Sequence, residues 1–198
     1  MRPVVEVGAD AEILGVERVR ATVAVLALAA ALAAVPVAAA TGSQRSPGRA
    51  VVTALPALNG QIVAKINAVR AAHGLPPLKA APGLGAAARL HTGEMARTGR
   101  FQHESPDGSA FWKRVLKFYR RVGYRSWSVG ETLVWESPSA DAAQVVSEWM
   151  DSPEHRAILM SRDWHEIGVS AVQDSAAPGD FKGMAATIVT ADFGVRAR

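Results

Sequence analysis

The sequence predicts an α+β fold in which helices cover a sheet. Helical patterns fill the first part of the chain, one strand follows, and two strands close it. Helices grouped first and a strand pair last are typical of this class. The chain has 198 residues, which is enough for one packed domain. Its composition, 49% hydrophobic and 20% charged, excludes a collagen, a coiled coil and a chain that is disordered throughout.

The composition narrows the chemistry that the chain can perform. The sequence contains no cysteine, which excludes disulfide frameworks, thiolate zinc sites and cysteine nucleophiles. The formal net charge is +4. A basic exported protein is attracted to anionic lipids and acidic wall polymers, although the same charge also keeps a protein in solution.

An uncharged stretch rich in alanine, valine and leucine, residues 21–40, predicts an export signal. Arg18 and Arg20 precede it, and three alanines end it at Ala40. A charged flank, an apolar centre and a small-residue exit define a secretory signal. The stretch is also close to the roughly 20 residues that span a bilayer. Residues 1–40 are therefore a signal peptide cleaved after about Ala40, or an N-terminal membrane anchor.

Two further regions follow the export segment. Residues 41–57 mix glycine, serine, proline and arginine without periodicity, which predicts a flexible linker. The folded domain is predicted over residues 58–195. We expect a secreted, extracytoplasmic protein, and therefore no nucleic acid among its partners.

Helix boundaries are indicated by apolar spacing and by residues that begin or end helices. Pro82 and Gly99 delimit one helix, Ser109 and Ser139 are candidate N-caps, and Ser152-Pro153 is an N-cap and N1 pair. The predicted helices span residues 58–73, 82–98, 110–122 and 140–151, with a short helix from Pro153. The predicted strands span 126–136, 166–172 and 184–194.

Three side chains stand where chemistry could occur. His103 lies in a turn-rich loop, where functional side chains tend to be displayed. His155 falls in the first turn of the short helix, which favours its neutral imidazole. Glu131 interrupts an apolar strand, so its carboxylate must face solvent, a partner or a cleft. Each residue alone also fits a surface or capping role. His91, on the apolar stripe of its helix, is interpreted as a core histidine.

Several segments in fixed order resemble the bacterial branch of the CAP superfamily of cysteine-rich secretory, antigen 5 and pathogenesis-related 1 proteins. The resemblance covers nearly all of residues 58–195. The segments that carry it are HESPDG at 103–108, GE at 130–131, WMDSPEHR at 149–156 and EIGV at 166–169. Together they are specific, although none would be so alone.

This resemblance implies a three-layer α-β-α sandwich with a surface cleft lined by two histidines and two acidic residues. His103, Glu131 and His155 match three of these positions. The second acidic position is Ser152 here, which departs from the family pattern and weakens a tight metal site. The predicted cleft residues are therefore His103, Glu131, Ser152 and His155. Zn²⁺ or another divalent cation could be held by the two histidines and the glutamate.

Two functions are compatible with such a cleft. The first is a secreted, non-enzymatic domain that binds a ligand, either a lipid or an envelope component. The alternative is a metal-dependent hydrolase that acts on peptide or cell-wall material. A serine nucleophile is not expected, because Ser152 is better explained as an N-cap that accepts backbone N–H bonds.

The third predicted helix and the residues after it are strongly basic. This surface could hold an anionic envelope polymer or a membrane surface, although a solvated helix face would have the same composition. The cations concerned are Lys113, Arg114, Lys117, Arg120, Arg121 and Arg125.

Overall fold

The computed structural model describes residues 50–198. The predicted export segment, residues 1–40, and most of the predicted linker lie outside the described residues. Among residues 50–198, none of the helices has the length and hydrophobicity needed to cross a bilayer.

Five α-helices and five strands make up the described part of the chain. The helices are α1 (Pro56–Ala72), α2 (Pro82–Thr98), α3 (Phe111–Phe118), α4 (Ala142–Asp151) and α5 (Pro153–Leu159). The strands are β1 (Val52–Ala54), β2 (Lys79–Ala80), β3 (Ser126–Glu136), β4 (Glu166–Ala177) and β5 (Met184–Ala197), and a 3₁₀ turn, Gly179–Phe181, joins the last two.

The strands form one sheet in the order β1-β4-β5-β3. Its neighbours are antiparallel, and the short β2 adds in parallel to the start of β4. The long β4 and β5 lie at the centre, while β3 forms an edge. In this register Asp192 of β5 lies directly between Glu131 of β3 and Gly168 of β4.

Helices cover both faces of the sheet, which confirms the predicted α+β class and the three layers. On one face α1, α4 and α5 bury Ile66, Trp149 and Leu159 against Ile167 and Phe193. On the other face α2 and α3 bury Leu84, Ala87, Val115 and Tyr119 against Trp127 and Val129 of β3, and the end of α2 packs on the far half of β5. Burial of these apolar surfaces is the main favourable contribution to folding.

Two glycines allow the helices to approach the sheet closely. A methyl group built on Gly168 of β4 would lie 2.0 Å from the backbone nitrogen of Gly85 in α2. One built on Gly194 of β5 would lie 2.8 Å from the ring of Tyr119. These contacts position α2 and α3 over the strands that carry the site.

The N-terminal boundary differs from the prediction. Residues 52–54, placed in the linker by their composition, pair with β4 as β1, and α1 begins at Pro56 rather than at residue 58. The strand is exposed and owes its conformation to main-chain pairing, as in Val52 opposite Asp174. Proline at the first position of α1 has the φ angle that a helix needs.

Other boundaries also differ by a few residues. Helix α3 ends at Phe118, so Val122 is 83% exposed instead of extending the apolar stripe. Neither predicted N-cap, Ser109 nor Ser139, holds its helix: α3 starts after Ala110, and α4 is capped by Asp141. Strand β4 continues to Ala177 and β5 to Ala197, because the two strands pair along almost their whole length.

Candidate functional site

The site is organised by the completely buried carboxylate of Glu131, at the middle of edge strand β3. Its Oε1 lies 2.8 Å from Nδ1 of His103, which comes from the loop between α2 and α3. The His103 side chain is 48% exposed. A buried acid therefore holds a histidine that solvent can reach, so the predicted pairing of His103 with Glu131 is present.

Arg114 neutralises the buried carboxylate. Its Nη2 contacts Oε2 of Glu131, and its Nη1 donates to the His103 carbonyl at 3.2 Å and to Ser105 Oγ at 3.1 Å. Burial opposes ionisation of Glu131, but the His103 hydrogen bond and the Arg114 charge outweigh it and hold the pKa of Glu131 below its ordinary value. Arg114 thereby fixes both the acid and the loop that carries His103.

His91 of α2 lies on the inner side of the same carboxylate. Its ring is 1% exposed, with Nε2 2.8 Å from the Gln102 carbonyl and 4.0 Å from Oε1 of Glu131. Burial, together with the charge of Arg114, lowers the pKa of His91, although Glu131 opposes the shift. The predicted core position is correct, and the residue also contacts the acid of the site.

Asp192 brings a second carboxyl group to the cluster, on β5 directly opposite Glu131. It is completely buried, and its carboxyl group lies beside the carboxylate of Glu131. Burial and the negative charge of Glu131 raise the pKa of Asp192 well above its ordinary value. One negative charge on the pair, with Asp192 protonated and Glu131 ionised, is therefore favoured over two.

His155 occupies the third position of α5, as predicted, and is partly buried. Burial is the first cause that lowers the pKa of His155, and the positive charge of His103 is the second. Glu154 opposes this shift only in part. The two imidazoles are therefore within electrostatic reach of each other, and the His155 ring is neutral at neutral pH.

Ser152 does not form the predicted cap bond. Although it is the N-cap residue of α5, its side chain accepts no backbone N–H, and its hydroxyl lies 3.1 Å from the Glu154 carboxylate. A carboxylate two residues further along is a stronger acceptor for this hydroxyl than any neutral group nearby. The hydroxyl is thus engaged by Glu154.

The donors in this arrangement do not fit a divalent cation. One oxygen of Glu131 is bound by His103 and the other by Arg114. Within residues 50–198, no three or more histidine, aspartate or glutamate side chains are grouped as metal ligands. Oε1 of Glu131 could bind a cation together with His103 and His155 only if the His103 hydrogen bond to it were given up, while Oε2 could stay on Arg114.

The chemistry that the arrangement offers is a fixed imidazole tautomer at a surface. An ionised carboxylate only accepts hydrogen bonds, so Nδ1 of His103 must carry the proton it donates to Glu131. While the His103 ring is neutral, its Nε2 is an acceptor for a ligand hydroxyl or amide, and protonation of the ring makes Nε2 a donor. Neutral His155, within electrostatic reach of His103, offers a second donor or acceptor.

The sequence interpretation missed three residues of this cluster or gave them another role. Arg114 was counted as part of the basic surface, although it lies three residues after Phe111 and so on the buried side of α3. Asp192 interrupts an apolar strand as Glu131 does, and this pattern in the sequence could have identified it as a member of the site. His91 was interpreted as a core residue only.

The rest of the predicted basic surface is exposed. Arg114 is the exception, since it is 1% exposed and paired with Glu131. Two apolar side chains, Phe118 at 42% and Val122 at 83% exposure, lie among the exposed cations. Those cations are Lys113, Lys117, Arg120, Arg121 and Arg125.

Comparison with known proteins identifies the family of this chain. Residues 63–193 match the family model described as the cysteine-rich secretory protein family, CAP. The uncharacterized protein YkwD of Bacillus subtilis (strain 168) is 27% identical over 138 residues, which are 69% of this chain and 51% of that protein. The chain thus spans about half the length of this curated relative.

Two solved structures share the fold. One is an extracellular protein with an SCP domain from Bacillus anthracis, with a TM-score of 0.54 and 22% identity over 72% of this chain and 41% of that one. The other is an outer surface protein of Borrelia burgdorferi, with a TM-score of 0.59 and 18% identity over 74% of this chain and 99% of that one. Since the family model covers most of the described domain, the chain belongs to the cysteine-rich secretory protein (CAP) family.

Proposed function

We propose that the chain is an exported CAP domain that binds a ligand, a lipid or an envelope component, through the cleft between His103 and His155. The observation that carries this proposal is the buried Glu131, which holds His103 in one tautomer at the surface. A buried charge that requires its own arginine is costly to maintain. Its evident benefit is a histidine fixed in orientation before any ligand arrives.

Export is supported by the apolar stretch over residues 21–40 and its arginine flank. The Bacillus anthracis protein that shares the fold is described as extracellular, and the Borrelia burgdorferi protein as an outer surface protein. An envelope location would give the cleft access to lipids and wall material.

Binding is favoured over hydrolysis by the way the polar groups are engaged. The Ser152 hydroxyl contacts the Glu154 carboxylate rather than a histidine that could activate it. Glu131 is bound by Arg114, which lowers its pKa and makes it a weak base. A divalent cation such as Zn²⁺ would have to compete with the His103 hydrogen bond for Oε1 of Glu131, so we expect binding to persist in the presence of a chelator.

The experiment adds purified muropeptides, and separately phosphatidylglycerol vesicles, to the chain and follows the histidine ring signals by NMR. We expect one of these probes to shift the signals of both His103 and His155. His103→Ala and His155→Ala should each weaken that binding by about tenfold, which is the loss of one or two hydrogen bonds. The probe should be recovered chemically intact.

His73→Ala is the matched control, because His73 is exposed at the end of α1 and bonds only to its own helix, at Val69. This variant should bind as the wild type does. Cleavage of the muropeptide that requires both His103 and His155 would establish the hydrolase instead. Absence of any shift at the two rings with both probes would contradict the proposed cleft.

A second candidate role is association with an anionic surface through the end of α3. Exposed Phe118 and Val122 lie among five exposed cations, a combination that suits the boundary between lipid headgroups and acyl chains. Binding to phosphatidylglycerol vesicles should fall as salt rises, and Lys117→Glu with Arg121→Glu should abolish it. Equal binding to neutral phosphatidylcholine vesicles would contradict this role.

A further inference from the structure

A second groove of about 480 Å³ lies where β4 begins and β5 ends. Lys79 of β2, Tyr124, Trp164, Glu166 and Arg196 are among its lining residues. None of His103, Glu131 and His155 is among its lining residues. Its volume is within the range of grooves that bind small molecules, and a few polar groups converge on aromatic walls, as such sites require.

Arg196 is held in this groove mainly by stacking. Its guanidinium carbon lies 3.9 Å from the ring centre of Tyr119 and 4.8 Å from that of Tyr124. Its hydrogen bonds to Glu166 and to the Arg120 carbonyl are 3.4 to 3.5 Å long. These lengths are at the weak end for N–H···O bonds, so the guanidinium is fixed in orientation and keeps donor capacity for another acceptor.

The only carboxylate among the groove's lining residues is already engaged. The Tyr119 hydroxyl donates to Oε2 of Glu166, and burial and this carboxylate raise the pKa of Tyr119, which keeps its proton. Lys79 lines the same groove, and Arg198 lies 5.9 Å from the ring of Tyr124. Two cations and one carboxylate thus line the groove, with Arg198 close by, which leaves a net positive charge for an anionic ligand.

The aromatic side chains define the rest of the ligand. Tyr124 lines the groove beside the cationic groups, whereas Trp164 is 3% exposed and contributes only a small part of its surface. Flat rings next to hydrogen-bonding groups suit a ligand that has both C–H faces and polar substituents. A sugar ring or a polyol chain that bears an acidic group has this combination.

We propose that this groove binds an anionic sugar or polyol, with its carboxylate or phosphate on Arg196 and Lys79 and its carbon skeleton against Tyr124. This role does not depend on the ligand of the His103 cleft, since the two sites use different side chains. The shared requirement is one anionic group on a hydroxylated scaffold.

The test is isothermal titration of the chain at low salt with trigalacturonate, which supplies carboxylates, and with glycerol 3-phosphate, which supplies a phosphate. Maltotriose is the neutral counterpart. We expect at least one anionic probe to bind with a Kd near or below about 1 mM, and maltotriose at least about tenfold more weakly. The probe that binds identifies the source of the anionic group.

Two variants and one matched control assign that binding to the groove. Arg196→Gln should weaken it by about tenfold and Lys79→Ala by at least about threefold, as expected for lost charge-assisted hydrogen bonds. Lys65→Ala removes one exposed lysine from α1, outside the groove, and should change affinity by less than about twofold. Lys79 is also exposed, so its variant tests the groove even if Arg196→Gln does not fold.

Three outcomes would overturn the proposal. The first is that neither anionic probe binds. The second is that maltotriose binds as tightly as they do. The third is that Lys79→Ala, or a folded Arg196→Gln, binds the anionic probe with wild-type affinity.

Discussion

Glu131 is completely buried, and the side chains around it stabilise its ionised form. Arg114 supplies the compensating charge, and His103 supplies a hydrogen bond that reaches the surface. Asp192 avoids a second negative charge by retaining its proton. The site at this scale is a charge-balanced cluster in which only the histidine is exposed.

Replacement of Arg114 by methionine tests this balance. The substitution leaves a buried carboxylate without its counter-ion, and we expect a loss of about 3–5 kcal/mol in the free energy of unfolding. The measurement is urea denaturation. Adding Glu131→Gln to Arg114→Met should recover part of the loss, because the uncompensated charge is then removed. Strictly additive losses in the double variant would show that the two residues do not interact.

Asp192→Asn tests the protonated carboxyl. Its raised pKa means that the folded protein keeps a proton which the unfolded chain loses above about pH 4. The contribution of Asp192 to stability is therefore complete below that pH and is lost as the pH rises toward the raised pKa. The free energy of unfolding of Asp192→Asn and of the wild type should be compared by denaturation at pH 4.5 and pH 7.5. Relative to the wild type, the variant should be more stable at pH 7.5 than at pH 4.5 by more than about 1 kcal/mol. An unchanged difference would mean that Asp192 is ionised in the folded state.

Part of this cluster could be predicted from the sequence. The position of Glu131 in an apolar strand and of His103 in a turn-rich loop identified both residues. The roles of Arg114 and Asp192 depend on which strand and helix lie next to Glu131, and periodicity within one element does not contain that information. Whether the Ser152 hydroxyl would bond to the backbone or to Glu154 was likewise decided by competition between two nearby acceptors.

At the scale of single elements, α4 shows how a helix start is chosen. Asp141 accepts bonds from the backbone N–H groups of Ala143 and Gln144, and the Gln144 side chain accepts from the Asp141 backbone. This reciprocal arrangement satisfies donors that would otherwise lack partners. Ser139, two residues earlier, was the predicted cap, and its type is equally suitable in isolation.

Asp141→Ala should cost about 1 kcal/mol in the free energy of unfolding, since it removes the cap of α4. Ser139→Ala, the matched control, should change it by less than about 0.5 kcal/mol. Chemical denaturation of the two variants side by side gives the comparison. A larger loss for Ser139→Ala than for Asp141→Ala would move the start of the helix back to the sequence-based position.

Most elements could be predicted because they combine a clear period with boundary residues. Strand β3 has the predicted bounds, and α2 lies between Pro82 and Gly99 as expected. Strand β1 could not be predicted, because its exposed residues have no alternation and are ordered by main-chain pairing with β4. The predicted third helix extends to residue 122, because residues 119–122 continue its apolar spacing. In the structure α3 ends at Phe118, and the buried Tyr119 is its C-cap residue.

At the scale of the whole molecule, the two helical layers are set by how closely helices approach the sheet. Gly168→Ala would place a methyl group 2.0 Å from the backbone of Gly85, and backbone atoms cannot move aside cheaply. We expect a loss of more than about 3 kcal/mol, or failure to fold. Gly85 is the α2 residue in this contact, but a methyl group built on Gly85 itself has no atom within 4 Å. Gly85→Ala should therefore stabilise α2 by about 0.5–1 kcal/mol. Thermal melting distinguishes the two, and a well-folded Gly168→Ala with wild-type stability would contradict the packing of α2 on β4.

This packing also places the two histidines of the proposed cleft in different layers. The chain carries His103 on the α2–α3 side of edge strand β3 and His155 on α5, whose layer covers the other side. An edge strand is where side chains from both layers can meet, which is why residues 52 positions apart in sequence act on each other. The resemblance to CAP proteins predicts that the two histidines line one cleft, whereas spacing along the chain does not.

The most direct test of this account is an NMR titration of the His155 ring in the wild type and in His103→Ala. The pKa of His155 should lie below its ordinary value in the wild type. It should rise in His103→Ala, because the charge of the His103 ring is removed. It should still lie below the ordinary value, because His155 remains buried. His73→Ala should leave it unchanged. An identical pKa of His155 with and without the His103 ring would show that the two imidazoles do not share a cleft.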